Sequence, residues 1–271
     1  MPPSRKPLRG LISGVLLIAG CAANRAMPPG NPEFPYPPKE PPKAEEIYHL
    51  PTGVRLSPDG LMDMLSGARL VCVGEEHDNL NDQRVELAVV RELYRRFPGQ
   101  VAIGMEMFRE PQQEALDRWV GGELTELEFL KASKWYETWG YDFGAYRGLL
   151  RFARENRIDV IALNPSIELQ KAVSRGGLDN VPEELRAKIP EIDDSDPWQR
   201  AALHGVFAGH AGHGADDNAF EAFYRVQLLW EETMARRVVE YLGSARGEGK
   251  RMVTVTGGWH VRYGFGLPKE V

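Results

Sequence analysis

Ala68-Arg69-Leu70-Val71-Cys72-Val73-Gly74-Glu75-Glu76-His77-Asp78-Asn79 decides how the chain is read. Its first half, Ala68 to Val73, is a short apolar run of strand length that ends at a glycine. Its second half is a polar loop holding three carboxylates and an imidazole. The same pattern recurs three times. Val101 to Met105 runs into Glu106-Met107-Phe108, Asp159 to Leu163 into Asn164-Pro165-Ser166, and Met252 to Thr256 into Gly257-Gly258-Trp259-His260. Between these runs the apolar period becomes helical, over Val85–Phe97 (stopped by Pro98-Gly99), Pro111–Val120, Leu124–Lys131, Tyr146–Asn156, Pro165–Val173 and Asn218–Leu242. Strands alternating with helices predict an α/β fold, a largely parallel sheet flanked by helices.

In a parallel sheet all four polar loops share the carboxyl edge, where open α/β proteins bind ligands. The expectation is that Glu75, His77, Glu106 and His260 converge on one cavity there. Taken singly, each loop is equally a cap for the helix after it, with Asp78 or Asn79 as N-cap. Four in phase favour a site. Gly74, Gly104, Gly257 and Gly258 stand where the backbone leaves a strand and allow close approach. No G-x-G-x-x-G or G-x-x-x-x-G-K-[ST] pattern occurs, so dinucleotide and P-loop sites are unsupported. Nitrogen and carboxylate donors suit a divalent metal (zinc, manganese or iron) or acid–base work in a metal-dependent hydrolase. No H-E-x-x-H helix is present, and a satisfied hydrogen-bond network is the alternative reading of the same residues.

Composition narrows the classes. The 271 residues are 42% hydrophobic and 27% charged, which is globular. A net charge of −6 disfavours a nucleic-acid binder. Two cysteines exclude a disulfide scaffold and a four-thiolate zinc site. The apolar run Leu11–Ala23 is far shorter than the ~20 residues of a membrane span, which excludes a multi-span protein.

That run belongs to an address. Arg5, Lys6 and Arg9 precede an apolar stretch, then Ile18-Ala19-Gly20-Cys21. The segment resembles a bacterial lipoprotein signal, which implies cleavage after residue 20 and acylation of Cys21. Loss of residues 1–20 removes three positive charges and takes the net charge from −6 to about −9. Ala22 rather than Asp follows the cysteine, which by enterobacterial sorting rules points to the outer membrane. Residues 24–46 hold eight prolines and predict an extended tether over 21–46. The folded domain is then 47–271, held by its lipid anchor at the bacterial cell envelope. Cys72 is left alone in an apolar run and reads as a core residue.

Gly74-Glu75-Glu76-His77-Asp78-Asn79, Gly104-Met105-Glu106-Met107-Phe108, Gln227-Leu228-Leu229-Trp230-Glu231-Glu232-Thr233-Met234-Ala235 and Gly258-Trp259-His260-Val261 together resemble the ChaN-like haem-binding lipoproteins, within the wider Tiki/TraB and erythromycin-esterase-like group. The resemblance covers roughly residues 50 to 271. It implies an α/β core with a helical insertion, surface lipidation, a role in haem-iron uptake and, in some members, a homodimer around haem. In the enzymatic relatives the matching positions look like a metal or hydrolytic site, here Glu75, His77, Glu106 and His260. Relatives carry further residues where this chain stops at Val271, which implies a truncated C-terminus and a missing final strand.

Residues 176–217 are rich in Gly, Asp and Pro, and within them Ala208-Gly209-His210-Ala211-Gly212-His213-Gly214 reads as small and mobile. Haem needs an axial donor and an apolar slot. His210, His213, Tyr224 and Tyr263 are the candidate donors, and Phe207, Phe220, Phe223, Trp230 and Met234 candidate walls. The same spacing is that of a core-facing helix. No C-x-x-C-H occurs, which excludes covalent c-type haem.

Overall fold

The computed structural model describes residues 43–211 and 217–271, and the side chains of 43–209 and 217–271. Cys21, the signal and most of the tether therefore lie outside the described residues, as does His213; of His210 only the backbone is described.

Two units partition the chain, the first ending at Pro58 and the second running from Asp59 to Val271. The described part of the first is a small antiparallel hairpin, β1 (Ile47–His49) with β2 (Val54–Leu56). Gly53 takes φ 65 in its turn, a conformation that glycine adopts without strain.

The second unit is built on β3 (Leu70–Glu75), β4 (Val101–Arg109), β5 (Asp159–Asn164) and β6 (Arg251–Gly257). All pairings are parallel, in the order β3-β6-β4-β5, so the last strand inserts between the first two. This is the α/β fold expected from the alternation. Nearly every residue of β4, β5 and β6 is buried, as expected of strands covered on both faces. One face packs under α1 (Pro58–Ser66), α2 (Leu80–Arg96), α3 (Gln113–Val120), α4 (Glu126–Ala132), α5 (Trp135–Thr138) and α6 (Phe143–Glu155). Its core holds Trp119, Phe129, Trp135, Phe143 and Tyr146. The other face carries Met234, Val238 and Tyr241 of the long helix.

Strand ends differ from the sequence reading in a way that matters. β3 reaches Glu75 and β4 runs on to Arg109, so Glu75 and Glu106 lie in strands rather than in the loops after them. A register irregularity between Met105 and Arg109 is where β4 turns Glu106 toward β6. Caps set the helix starts. Asn79 Oδ1 accepts from the Asn81 N–H at 3.1 Å to open α2, and Arg95 and Arg96 complement the helix dipole at its other end. Ser166, not Pro165, opens α7 (Ile167–Gly176), its hydroxyl accepting from Leu169 N–H at 3.2 Å. So two of the four polar loops do cap the helices that follow them.

The insertion holds two helices, α8 (Glu183–Arg186) and α9 (Pro197–Ala211), in keeping with the helical insertion that the resemblance implies. α9 packs on α10 (Asp217–Gly243) through Leu203, Phe220, Tyr224 and Leu228. Cys72 is half-buried beside the second core cluster, and burial pushes its thiol pKa up, as suits a packing residue. No described helix is long and apolar enough to cross a membrane.

Candidate functional site

The parallel register brings Glu75 opposite Gly257, so the ends of β3 and β6 coincide and β4 delivers Glu106 beside them. Glu75 is buried and fully engaged. Its Oε1 lies 2.7 Å from His77 Nδ1 and accepts from the Tyr146 hydroxyl at 2.6 Å; its Oε2 accepts from Gln83 Nε2 at 2.5 Å. Burial opposes ionisation, but these donors outweigh it and hold its pKa below the usual carboxylate value. Behind it lies Glu86, fully buried, with neither oxygen in a hydrogen bond of good geometry. Burial, reinforced by the neighbouring Glu75, pushes the Glu86 pKa to about 10, so this carboxyl is neutral at pH 7.

His77 is the open member. A quarter of its side chain is exposed. Its ring meets Trp139 edge-on at 4.6 Å and Tyr141 at 5.3 Å. Burial lowers its pKa, but Glu75 and then Glu106 raise it to a net value above the ordinary imidazole. With Nδ1 committed to Glu75, Nε2 faces Gly257. A methyl group on that glycine would lie 3.2 Å from Nε2 and 3.5 Å from Glu106 Oε2, so absence of a side chain at 257 lets the two approach.

Glu106 accepts from the Gly257 N–H at 2.6 Å and lies 3.6 Å from His260 Nε2. His260 is buried between two carboxylates, with Nδ1 3.1 Å from Glu231 Oε1 on α10. Burial disfavours the imidazolium, but Glu106 and Glu231 overcome it and raise the His260 pKa to about 10. Glu106 is held below its usual value by the same pair of histidines. Glu231 also accepts from Gln199 Nε2 of α9 at 2.7 Å. Thus Glu75, His77, Glu106 and His260 lie at one edge in two polar groups, Glu75–His77 and Glu106–His260, with four further residues around them: Gln83 and Tyr146 donate to Glu75, Glu86 lies buried behind it, and Glu231 pairs with His260.

These four partners were not singled out from sequence. Glu86 and Glu231 carry a signal in hindsight. Each is an acid on the apolar stripe of a helix, beside Val89, Val90 and Leu93 or Leu228, Leu229 and Met234. A carboxylate is rarely fully buried unless it has a partner.

The cluster spends its donor atoms on itself. Among the described residues, no group of three or more His, Cys, Asp or Glu side chains is arranged to hold a metal ion, so the divalent metal finds no support there. Of the four residues, His77 alone has a side chain appreciably open to solvent.

The remaining candidates fall elsewhere. Tyr224 is 2% exposed, its ring stacked on Phe220 at 5.7 Å and facing the Arg200 guanidinium at 4.6 Å. It belongs to the α9–α10 core. Tyr263 is the opposite case, 72% exposed, with φ 62. It follows β6 in the segment Gly258–Phe265, where Trp259, Arg262, Tyr263 and Phe265 with Ala202 and Leu203 of α9 line a small groove of about 10 Å³. Arg262 stacks on Trp259 at 3.9 Å.

A model of the family described as haem-binding uptake, Tiki superfamily, ChaN, matches residues 61–271. The chain belongs to that family. The ChaN fold is also seen directly. A structure of ChaN from Campylobacter jejuni, described for cofacial haem binding, superposes with a TM-score of 0.66 and 15% identity, over 81% of this chain and 82% of that one. Among curated proteins, the chloroplastic protein RETICULATA-RELATED 5 of Arabidopsis thaliana is 24% identical over 230 residues, 77% of this chain. The chain spans about 30% of the length of that relative.

Proposed function

We propose that this protein binds haem as cargo in haem-iron uptake, with the groove around Tyr263 as the haem-contacting face. Membership of the ChaN haem-binding uptake family supports the cargo. The face is supported by Tyr263 itself. A bulky residue in the left-handed region is strained, and such strain persists where the surroundings impose it. Here it holds a phenol in the open, with no hydrogen bond among the described residues. Tyrosinate is a known haem iron donor, and a porphyrin needs apolar walls beside it. Trp259, Phe265 and Leu203 supply such walls, and Arg262 places a cation within reach of acidic groups on a ligand's rim.

In this reading the strand-end cluster supports the face. His260 immediately follows Trp259 and is clamped by Glu106 and Glu231, which fixes where the aromatic segment leaves the sheet. Iron chemistry resides in the haem; the chain's own residues orient the plate and offer it one oxygen donor.

The same reading extends to the cell. Acylation of Cys21 would anchor the domain at the bacterial envelope, at the outer membrane, with residues 21–46 as spacer. Two copies meeting over haem would follow from an open face that leaves one side of the plate uncovered. The alternative, a metal-dependent hydrolase using the strand-end cluster of Glu75, His77, Glu106 and His260, is not favoured, since no metal-holding group is found among the described residues. Haemin titration of the wild type and of Tyr263→Phe, followed by the Soret band, tests the proposal.

A further inference from the structure

Away from the sheet edge, a cleft of about 760 Å³ opens beside α6, lined by Trp119, Glu126, Arg151, Arg154, Glu155 and Arg157 together with Gly122 and Thr125. Its arginines are not alike. Arg151 is tied to Glu126 at 2.8 Å, and Arg147 reaches the other oxygen of that carboxylate at 3.0 Å. Glu126 is therefore neutralised twice over. Arg154 and Arg157 form no ion pair among the described residues. Arg154 lies over the Trp119 ring at 4.6 Å and touches the Gly122 carbonyl at 3.4 Å. Arg157 donates to the Gly121 carbonyl at 2.6 Å and to Val120 at 3.3 Å. Both guanidiniums thus flank the same turn, Gly121-Gly122, whose second glycine takes φ 78.

The nearby acids are otherwise occupied or exposed. Glu123, at the same turn, pairs with Arg118 at 3.3 Å, and Glu155 is exposed to water. Two guanidiniums without counter-ions, held by backbone carbonyls and by an indole face, present unused N–H donors into one cleft. Guanidinium forks match the oxygens of phosphate in spacing and planarity, and an aromatic shelf pre-orders the arginine that lies on it.

We propose that this cleft is an oxyanion site for a phosphate group, with Arg154 and Arg157 as its ligands, distinct from the Tyr263 face. The phosphate can come from a free phosphorylated solute or from a phospholipid headgroup, and the chemistry at the two arginines is the same.

The full chain is titrated calorimetrically with inorganic phosphate and pyrophosphate at 150 mM salt. In parallel it is sedimented with phosphatidylglycerol vesicles and with phosphatidylcholine vesicles. Each assay is repeated on Arg154→Gln, on Arg154→Gln/Arg157→Gln, and on the charge-matched control Arg84→Gln/Arg91→Gln, whose two arginines are exposed on α2. Arg154 makes the weaker backbone contact, so its single variant keeps the test valid if the double variant unfolds.

The expected result is phosphate or pyrophosphate binding, or selective capture by the anionic vesicles, weakened at least tenfold by Arg154→Gln and unchanged in the α2 control. Binding of the small ions identifies a soluble ligand; capture by anionic vesicles alone identifies a headgroup. No binding in either assay overturns the proposal. So does equal weakening in the α2 control, which would mean diffuse surface charge.

Discussion

His260 Nδ1 lies 3.1 Å from Glu231 Oε1, and this one contact joins the end of β6 to the middle of α10. Gly266 closes over the same pair. With φ 61, it lies so near that an added Cβ would fall 2.6 Å from the His260 carbonyl oxygen and 2.8 Å from Glu231 Cδ. The segment Gly258–Gly266, which carries Trp259 and Tyr263, is thus pinned at both ends to one buried ion pair. The aromatic face inherits its position from that pair.

Glu231→Gln should therefore destabilise the fold at pH 7, by less than the cost of leaving a buried charge wholly unpaired, about 3 kcal/mol, since Glu106 still faces His260. The pH dependence follows from the direction of the shift. His260 has its folded pKa raised to about 10 from an unfolded 6.5. Its contribution is fully present below pH 6.5 and is lost as pH rises to about 10. Urea unfolding of both proteins from pH 6 to 10 should show the gap between them narrowing upward. A gap independent of pH would mean that His260 is neutral in the fold.

Glu86→Gln should behave in the reverse sense. A carboxyl whose folded pKa is raised to about 10 from 4.5 makes the native state progressively less stable, relative to the unfolded chain, as pH rises above 4.5. Glutamine does not ionise, so the variant should gain on the wild type steadily between pH 5 and 9. Denaturant midpoints measured across that range check it, and parallel curves would show that Glu86 is ionised when buried.

Much of this architecture was legible in the apolar runs. Val101–Met105 and Val160–Leu163 hold no polar side chain because both faces of a parallel strand are covered. Other features were not. The place of β6 between β3 and β4 leaves no mark on the residues of β6 itself. The insertion was legible as helical only through the family resemblance; its own residues do not give the bounds of α9, whose stability comes from packing Leu203 on Phe220 and Tyr224. The cluster's four conspicuous members were visible as residues that follow strands. Their partners on α2, α6 and α10 were hidden, since a helix period records only that a face is buried and not which polar group lies on it.

Gly74→Ala should perturb the aromatic segment from the other side. Its new Cβ would meet Val261 Cγ2 at 2.7 Å and the backbone Cα of Gly258 at 2.9 Å. A side-chain tip can turn aside, but a backbone atom cannot, so the cost should be about 1–3 kcal/mol, as for other overpacked sites. Thermal unfolding together with weakened haemin binding is the expected pair of readouts. Unchanged binding would separate the β3 end from the Trp259–Tyr263 segment.

Cys21→Ala should abolish fatty-acid labelling and leave uncleaved precursor, because the acylated thiol is the proposed anchor. Metabolic labelling with radioactive palmitate in a bacterial host reads this directly, and normal labelling of the variant would remove Cys21 from the account.

The most direct measurement is a haemin titration of the wild type, Tyr263→Phe, Tyr224→Phe and His77→Ala in one buffer, followed by the Soret band. The account predicts a saturable band that Tyr263→Phe weakens at least tenfold. Tyr224→Phe, deep in the α9–α10 core, and His77→Ala, at the strand edge, should leave it largely intact. A band that survives Tyr263→Phe and disappears in His77→Ala would contradict the account and make the strand-end cluster itself the haem site.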